Sequence, residues 1–468
     1  MNRRSVVRAS LLAVVVLSAG LLAVGWLQAP TDAVAAAAAG MDRPLEQRGP
    51  VAGDRPGATV VTTDPPGGNS GTAAIVAFAP DGRPLYHNDT YGNYFDVDPD
   101  PAGSRSVLYV AGSRYDSCPS DVAARTDDPI EGGCASVVVE RANLSTGATE
   151  RLHATVTEWD IWHDVDRVGE ERLLVADIAE DRAFVLNLTS DERAWTWNAS
   201  ADYDRTESGG APGDWTHIND VEGLDDGRVM VSLRNHDRVA FVDPGEGVDH
   251  NWTLGAENAY DVLYEQHNPD YIPTERGGPA VLVSDSENNR VVEYRRVDPE
   301  TGDSTTAADG EWRRSWEWTD DRLQWPRDAD RLPNGHTLVT DSQGNRVVEL
   351  DEDDDVVWEV PVPTPYEAER LGTGDESAGG RSKVATGNGS GAARGDGGAV
   401  EARSKTGLAR AVAFLTGPVV NGVLYVAPSW MTVSDVAVAG VFAASASALV
   451  LLELWWSRFG LHSIRRLL

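Results

Sequence analysis

Between about residue 70 and residue 360, apolar and polar positions alternate in short runs, and the three-to-four spacing of a helix is almost absent. Turn signals such as "LDDG" (Leu224–Gly227) and "LPNG" (Leu332–Gly335) separate the runs, so short antiparallel strands are predicted. One unit recurs, opening at Phe95, His163, Asn219, Asn268 and Arg327. Each unit has an apolar strand, a short polar loop and a second strand. A Trp-bearing strand often closes it, as in "AWTWNA", "NWTLGA", "SWEWTD" and "VVWEV". The period of roughly fifty to sixty-five residues is that of a propeller blade. Five such units, plus "AAIVAFAPDGRPLYHN" (73–88), predict an all-β, six-bladed β-propeller over residues 70–367, with the first strand completing the last blade.

The flanks have other patterns. Arg3, Arg4 and Arg8 precede an apolar run within residues 1–30, which reads as an N-terminal membrane anchor, and residues 31–69 read as a flexible linker. Residues 371–407 are Gly/Ser-rich and predict a disordered tether. The apolar stretch 411–430 is broken by Gly417, Pro418, Gly422 and Pro428 and reads as interfacial or re-entrant. Residues 436–456 predict a C-terminal transmembrane helix, followed by Arg458, Arg465 and Arg466. Arginines at both ends set the chain termini inside and the propeller domain extracellular, at the cell membrane.

Composition adds two constraints. Net charge is −34, and Lys383 and Lys405 are the only lysines, so the chain lacks the basic footprint that nucleic acid demands. With 41% hydrophobic residues, this acid is expected to coat a folded core, as in a halophilic acidic protein. The two cysteines, Cys118 and Cys134, close a turn-rich loop and are expected to form a disulfide in an exported chain. Sequons at Asn88, Asn143, Asn187, Asn198, Asn251 and Asn388 fit a glycoprotein surface.

A propeller brings equivalent loop positions of successive blades to one mouth of its central channel. His163, His217, His267, Asn219 and Arg327 occupy blade-entry positions, and Arg234 follows its strand in "SLRN". Single His or Asn residues there commonly serve only turn hydrogen bonds, whereas three histidines at successive entries point to a site. His236, His250 and His336 fall outside the pattern and read as surface or turn residues; His87 and His153 have no repeat partner. Metal-ligand spacing is lacking, and Arg234 opposes a cation while suiting an anion, so neither metal nor cofactor is expected. No nucleophile elbow or phosphate loop is present.

On "WHDVDRV", "DWTHINDVEGLDDGRVMVSLRN", "YEQHNPDY", "VSDSENNRVVEY" and "WPRDADRLPNGHTLVTDSQGNRVVE", the domain resembles the PAPS-independent arylsulfotransferase family, and most of all its members from salt-loving archaea. The H-x-N, S-x-R, Q-H order carries the resemblance. It implies transfer of a sulfuryl group from an aryl sulfate donor to a phenolic acceptor without a nucleotide. His267 matches the transiently sulfated histidine; His217, Asn219 and Arg234 match the sulfate cradle; His163 matches the other channel-facing histidine. Two features depart from the family: the C-terminal tether and anchor, and Arg327 at a histidine-like opening position. The competing expectation is a non-catalytic, membrane-tethered propeller that binds an anionic or aromatic ligand or a surface partner. The oligomeric state is not encoded in any readable feature.

Overall fold

Residues 3–29, 31–66, 73–126, 130, 132–206, 209–211, 213–374, 379–386 and 417–464 are described by the structure, a computed structural model. They divide into two compact bodies, Asp32–Gly417 and the paired chain ends Met1–Thr31 with Pro418–Leu468.

The first body is a six-bladed β-propeller. Blade 2 holds strands Asn93–Pro99, Ser106–Tyr115, Cys134–Asn143 and Thr149–Thr157, and blade 3 holds Asp164–Gly169, Arg172–Asp177, Arg182–Asn187 and Glu192–Asn198. In blade 4, Ile218–Gly223, Val229–Leu233 and Arg238–Asp243 are finished by two short pieces, Gly247–Val248 and Leu254–Gly255. Blade 5 runs through His267–Ile272, Ala280–Asp285, Arg290–Val297 and Glu311–Trp318, and blade 6 through Pro326–Arg331, Thr337–Asp341, Arg346–Leu350 and Val356–Val360. Blade 1 closes the ring differently from the sequence expectation. Its three outer strands, Thr59–Thr63, Ile75–Phe78 and Pro84–Asn88, come from the start of the domain, and its innermost strand, Pro365–Arg370, comes from the end. Closure therefore needs the last strand to join the first blade, rather than the first strand to join the last.

The core is distributed rather than central. Six apolar clusters each lie between two adjacent blades. Met230, Val239 and Phe241 of blade 4 meet Val281, Val283 and Val292 of blade 5, for example. Each fully buried Val or Leu contributes about 1.5–3 kcal/mol, so six such layers hold the ring. The Trp-bearing strands are outermost and fix their indoles by polar tips: Trp197 Nε1 donates to Asp202 (2.7 Å), and Trp316 Nε1 donates to Asp354 (3.0 Å). Gly227 (φ +89°) and Gly335 (φ +85°) carry the "LDDG" and "LPNG" hairpin turns in the left-handed region.

A second ordering device sits at the axis. Carboxylates on the innermost strands accept backbone N–H groups from the innermost strand of the next blade: Asp96 from Val165 (3.2 Å), Asp164 from Val221 (2.5 Å) and Asp166 from Gly223 (2.8 Å). Glu222 likewise accepts from Tyr271 (2.8 Å), Asp328 from Ala368 (3.1 Å) and Glu367 from Val97 (2.9 Å). The innermost strands have no strand partner on the axis side, and these side chains supply one.

Several boundaries move relative to the sequence. The propeller spans Thr59 to Arg370, and the expected linker is partly built onto it: helix Ala33–Gly40 buries Ala33 and Ala37, and Gly53 O accepts from Trp358 Nε1 (2.9 Å). Within the expected tether, residues 379–386 are docked. Ser382 Oγ donates to Glu293 (2.7 Å), and Lys383 Nζ to Asp354 (2.6 Å). The rest of the tether from residue 387, residues 411–416 and the sequon at Asn388 lie outside the described residues. Cys118 and Cys134 are joined, with Cα atoms 5.1 Å apart. Two sequons serve as hairpin turns. Asn143 Oδ1 accepts from Ser145 and Thr146, and Asn187 Oδ1 accepts from Thr189 and Ser190. Asn198 and Asn251 are exposed.

The second body contains helices Arg3–Gln28 and Val433–Ile464, both long and apolar enough to cross a membrane. They pack antiparallel: Arg8 pairs with Glu453 and lies over Trp456, while Gly25 at the other end lies against Asp435 and Trp430. The intervening helix Pro418–Val426 has 9 residues and is too short to span.

Candidate functional site

The innermost strands all run in the same direction, so their first residues share one end of the channel. Pairing with the second strand of each blade fixes which residues are equivalent. Asp164, Asp220 and Asp328 pair with Ala176, Ser232 and Thr340, and Asp270 pairs with Leu282 as Glu222 does with Met230. By that register His267, not Asn268, stands level with Phe95, His163, Asn219, Arg327 and Tyr366. The backbone agrees. His217, Glu265, Trp325 and Thr364, each two residues before that level, share a positive φ of +48°, +49°, +51° and +42°. A non-glycine residue there costs on the order of 1–3 kcal/mol, and here it turns the next two residues into the channel mouth.

Three imidazoles converge at this mouth, and each has its Nδ1 tied to the protein. His163 Nδ1 lies 2.8 Å from Ile161 O, which can only accept. His217 Nδ1 lies 2.8 Å from the Asp214 carboxylate. His267 Nδ1 lies 2.8 Å from Ser286 Oγ, and that hydroxyl gives its single hydrogen to Pro326 O (2.7 Å). In the neutral rings Nδ1 is therefore the donor in all three, leaving each Nε2 with its lone pair. His163 stacks on Phe95 (centroids 4.4 Å) and meets His217 edge-on (5.5 Å, 76°). His267 meets Trp325 edge-on at 5.5 Å.

Guanidinium groups surround them. Arg234, with its side chain 15% exposed, pairs with Glu265 and contacts Asn235 Oδ1 (3.3 Å); its Nε is buried without a hydrogen-bond partner. Arg327 donates to Asp64 (3.1 Å), lies between Trp325 and Tyr366, and also keeps an unpartnered Nε. Arg114, which the sequence pattern does not single out, pairs with Asp160 and lies over Phe95 (5.3 Å). Each guanidinium is held by a carboxylate, so the three cations are fixed in position around the imidazoles.

The electrostatics follow. Burial pushes His163 down to about 4, with His217 and Arg114 adding to the shift and Asp160 opposing it. Burial, then Arg234, lowers His217, while Asp214 pulls the other way. Burial, then Arg234, Arg327, His217 and His163, drives His267 well below the usual range. Against its own burial, Asp214 is held at about 2 by its hydrogen bond and charge contact with His217, with Arg234 adding to the effect. These shifts describe a neutral imidazole cluster beside fixed cations, which favours an anionic guest and a nucleophilic Nε2.

Asn219 is fully buried and turns its amide to Gln266 O (2.9 Å), so it fixes the backbone that leads into His267. His236 lies in the short turn Arg234–His236, as expected, but not at the surface: it is wholly buried against Tyr203 and Trp215, neither ring nitrogen has a partner among the described residues, and burial lowers it to about 4. His336 pairs with Glu349 (2.7 Å) on a half-exposed blade edge, and His250 is exposed. Asp214, Ser286 and Tyr366 join the cluster without having been singled out in the sequence. Ser286 alone had a signal, as the residue of "SDSE" at the position of Arg234. A separate groove of about 1180 Å³ spans blades 3, 4 and 5, lined by Asp166, Trp195, Glu222, Arg228, Tyr271 and Arg276, and contains none of these residues.

Several solved structures are similar in outline. A putative 6-phosphogluconolactonase from Bacteroides fragilis is 14% identical, covering 67% of this chain and 97% of that one, with a TM-score of 0.40. The periplasmic gluconolactonase PpgL of Pseudomonas aeruginosa is 14% identical, covering 68% and 99%, also at 0.40. Virginiamycin B lyase from Staphylococcus aureus is 8% identical, covering 65% and 85%, at 0.36. Likeness at this level carries no functional argument. Curated proteins yield no match. The arylsulfotransferase (ASST) family model matches residues 187–362, a segment that holds His217, Arg234, His267 and Arg327 and leaves His163 and Arg114 outside. By that match, which covers less than half of the chain, residues 187–362 are similar to the arylsulfotransferase family.

Proposed function

We propose that the protein transfers a sulfuryl group from a phenolic sulfate ester to a phenol through a sulfohistidine at His267, with no nucleotide donor. The family match supports the coarser statement, an arylsulfotransferase. The finer one is carried by a single observation: the Ser286–Pro326 relay commits His267 Nδ1 as donor and leaves Nε2 as a free nucleophile beside Arg234 and Arg327.

In the first step Nε2 of His267 attacks the ester sulfur, the N–S bond forms, and the S–O bond to the phenol breaks with its electron pair on oxygen. The guanidiniums of Arg234 and Arg327 neutralise the sulfuryl oxygens as charge builds. The phenol leaves as phenoxide and takes its proton from water, because neutral His217 keeps its ring hydrogen on Nδ1 against Asp214. In the second step a phenol acceptor gives its proton to the free Nε2 of His217 and attacks sulfur, the N–S bond breaks with its electron pair on His267 Nε2, and His217 passes the proton to water. His163 faces His217 and holds one wall of the sulfate pocket with Arg114. Asn219 acts through the Gln266 backbone as a positioning residue.

The propeller would stand outside the cell membrane with both chain ends inside. Two apolar helices, arginines at both termini and the Cys118–Cys134 disulfide support that placement. The test is incubation of the full chain with a chromogenic aryl sulfate and a phenol at high salt. Release of phenol by wild type and not by His267→Ala is expected; no release by wild type, or equal release by the variant, overturns the proposal.

A further inference from the structure

Beneath the mouth that holds these arginines and histidines, carboxylates line the channel. One residue past the mouth level stand Asp96, Asp164, Asp220, Asn268, Asp328 and Glu367, and two further on stand Asp98, Asp166, Glu222, Asp270, Asp330 and Glu369. Most are buried: Asp96 is 1% exposed, Asp220 3%, Asp330 2% and Glu369 1%. They converge on the axis, because Asp220 of blade 4 senses Glu367 of blade 1, on the opposite side of the ring, and Asp330 of blade 6 senses Asp270.

We propose that this channel binds a divalent cation of the calcium class, held by carboxylate oxygens of Asp96, Asp98 and Glu367. One oxygen from each of these three residues lies within 4.8 Å of the others, close enough for a single ion to bridge them. A second, independent feature points the same way. Asp220 Oδ2 and Asp330 Oδ2 are buried within this carboxylate cluster and have no hydrogen-bond partner among the described residues. An ionised carboxylate oxygen left in that position is costly unless a cation or a proton meets it. The donor set is all hard oxygen, with no imidazole or thiolate, which selects calcium or magnesium over zinc or copper. Calcium is favoured because it sheds water readily and accepts six to eight oxygens in irregular array, whereas magnesium demands an octahedron and keeps its waters. The pair Asp96 and Asp98 alone is no recognisable site in sequence, because the third ligand, Glu367, stands about 270 residues away and is joined to them only by ring closure.

The measurement uses the full chain in detergent at high salt, stripped with a chelator and passed into metal-free buffer, and it needs no catalytic activity. Titration with calcium chloride should give saturable binding of about one ion per chain and raise the melting temperature. Potassium chloride matched for ionic strength should leave the melting temperature where it was. Asp98→Asn should weaken calcium binding at least tenfold, and Glu367→Gln should do the same if it folds. A folded wild type that takes up no calcium overturns the proposal, since shared protons then meet those oxygens. So does a melting shift that potassium reproduces, or an Asp98→Asn variant that binds calcium as wild type does.

Discussion

Ser286 Oγ stands 2.8 Å from His267 Nδ1 and spends its only hydrogen on Pro326 O, so one serine decides which nitrogen of the histidine keeps its lone pair. Replacing it by alanine lets the ring sample the other tautomer and leaves a buried N–H unpaired. Ser286→Ala should lower kcat by about 10- to 100-fold with a much smaller change in KM, the scale on which partners that orient a reactive imidazole act. Steady-state kinetics on aryl sulfate check it. An unchanged kcat in a folded variant would show that the tautomer is set elsewhere.

Arg234 is expected to act on the charge that develops at sulfur rather than on general binding. Arg234→Met should reduce kcat/KM by about 10²- to 10³-fold, the range seen when one preorganised donor is removed from a developing oxyanion. It should also weaken inhibition by inorganic sulfate. Because Glu265 would lose its partner, Glu265→Gln serves as control, and it should lower activity far less. Equal losses in both variants would mean that the ion pair, not the guanidinium, matters.

The pH profile has a definite sign. His163 and His236 are pushed down to about 4, and His217 and His267 are lowered too, so the reactive ring stays neutral below its usual titration range. The acid limb of kcat/KM should therefore fall below pH 6.5 rather than at it. In stability, a histidine with a depressed folded value favours the folded state above its unfolded value of 6.5. That contribution is lost as pH falls toward 4, because the unfolded chain takes up the proton first. Asp328, raised to about 7 by burial, works oppositely: its contribution is present below 3.8 and lost as pH rises through 7. Thermal melts of His236→Phe against wild type isolate the histidine part. Wild type should lose stability relative to the variant as pH falls from 6.5 to 4, and a constant difference would contradict the assignment.

Much of this is legible in the sequence. The Leu332–Gly335 and Leu224–Gly227 turns recur at blade spacing, and the Trp-bearing segments fall on outer strands, because both follow from local chain chemistry. The entry positions of His163, His217 and Arg327 were readable for the same reason. His267 was assigned one residue out of register, since Pro269 disguises the aspartate–apolar pair that follows the other openings. Arg114 was invisible: its partners Asp160 and Asp64 are brought to it by the ring, not by sequence. The axial carboxylates were in plain sight as "DV", "DA" and "EA" pairs, yet their role depends on the N–H groups of the next blade. His236 reads as a turn residue because its burial is supplied by Tyr203 and Trp215 from outside its strand pair.

The inter-blade staples make a stability prediction. Asp164→Ala leaves the buried Val221 N–H without its acceptor and should cost about 1–3 kcal/mol, read as a lower midpoint in denaturant unfolding. Asp164→Asn, which keeps an acceptor oxygen, should recover most of it. If both variants unfold like wild type, the carboxylates do not hold the ring.

The most direct test of the central claim is mass analysis of the protein itself. Full-length enzyme is mixed with an aryl sulfate and no acceptor, quenched in base and digested. The peptide bearing His267 should gain about 80 Da, the mass of one sulfuryl group, and should lose it within the turnover time when phenol is added before the quench. A modified peptide elsewhere, or phenol release from wild type with His267 never modified, would contradict the account.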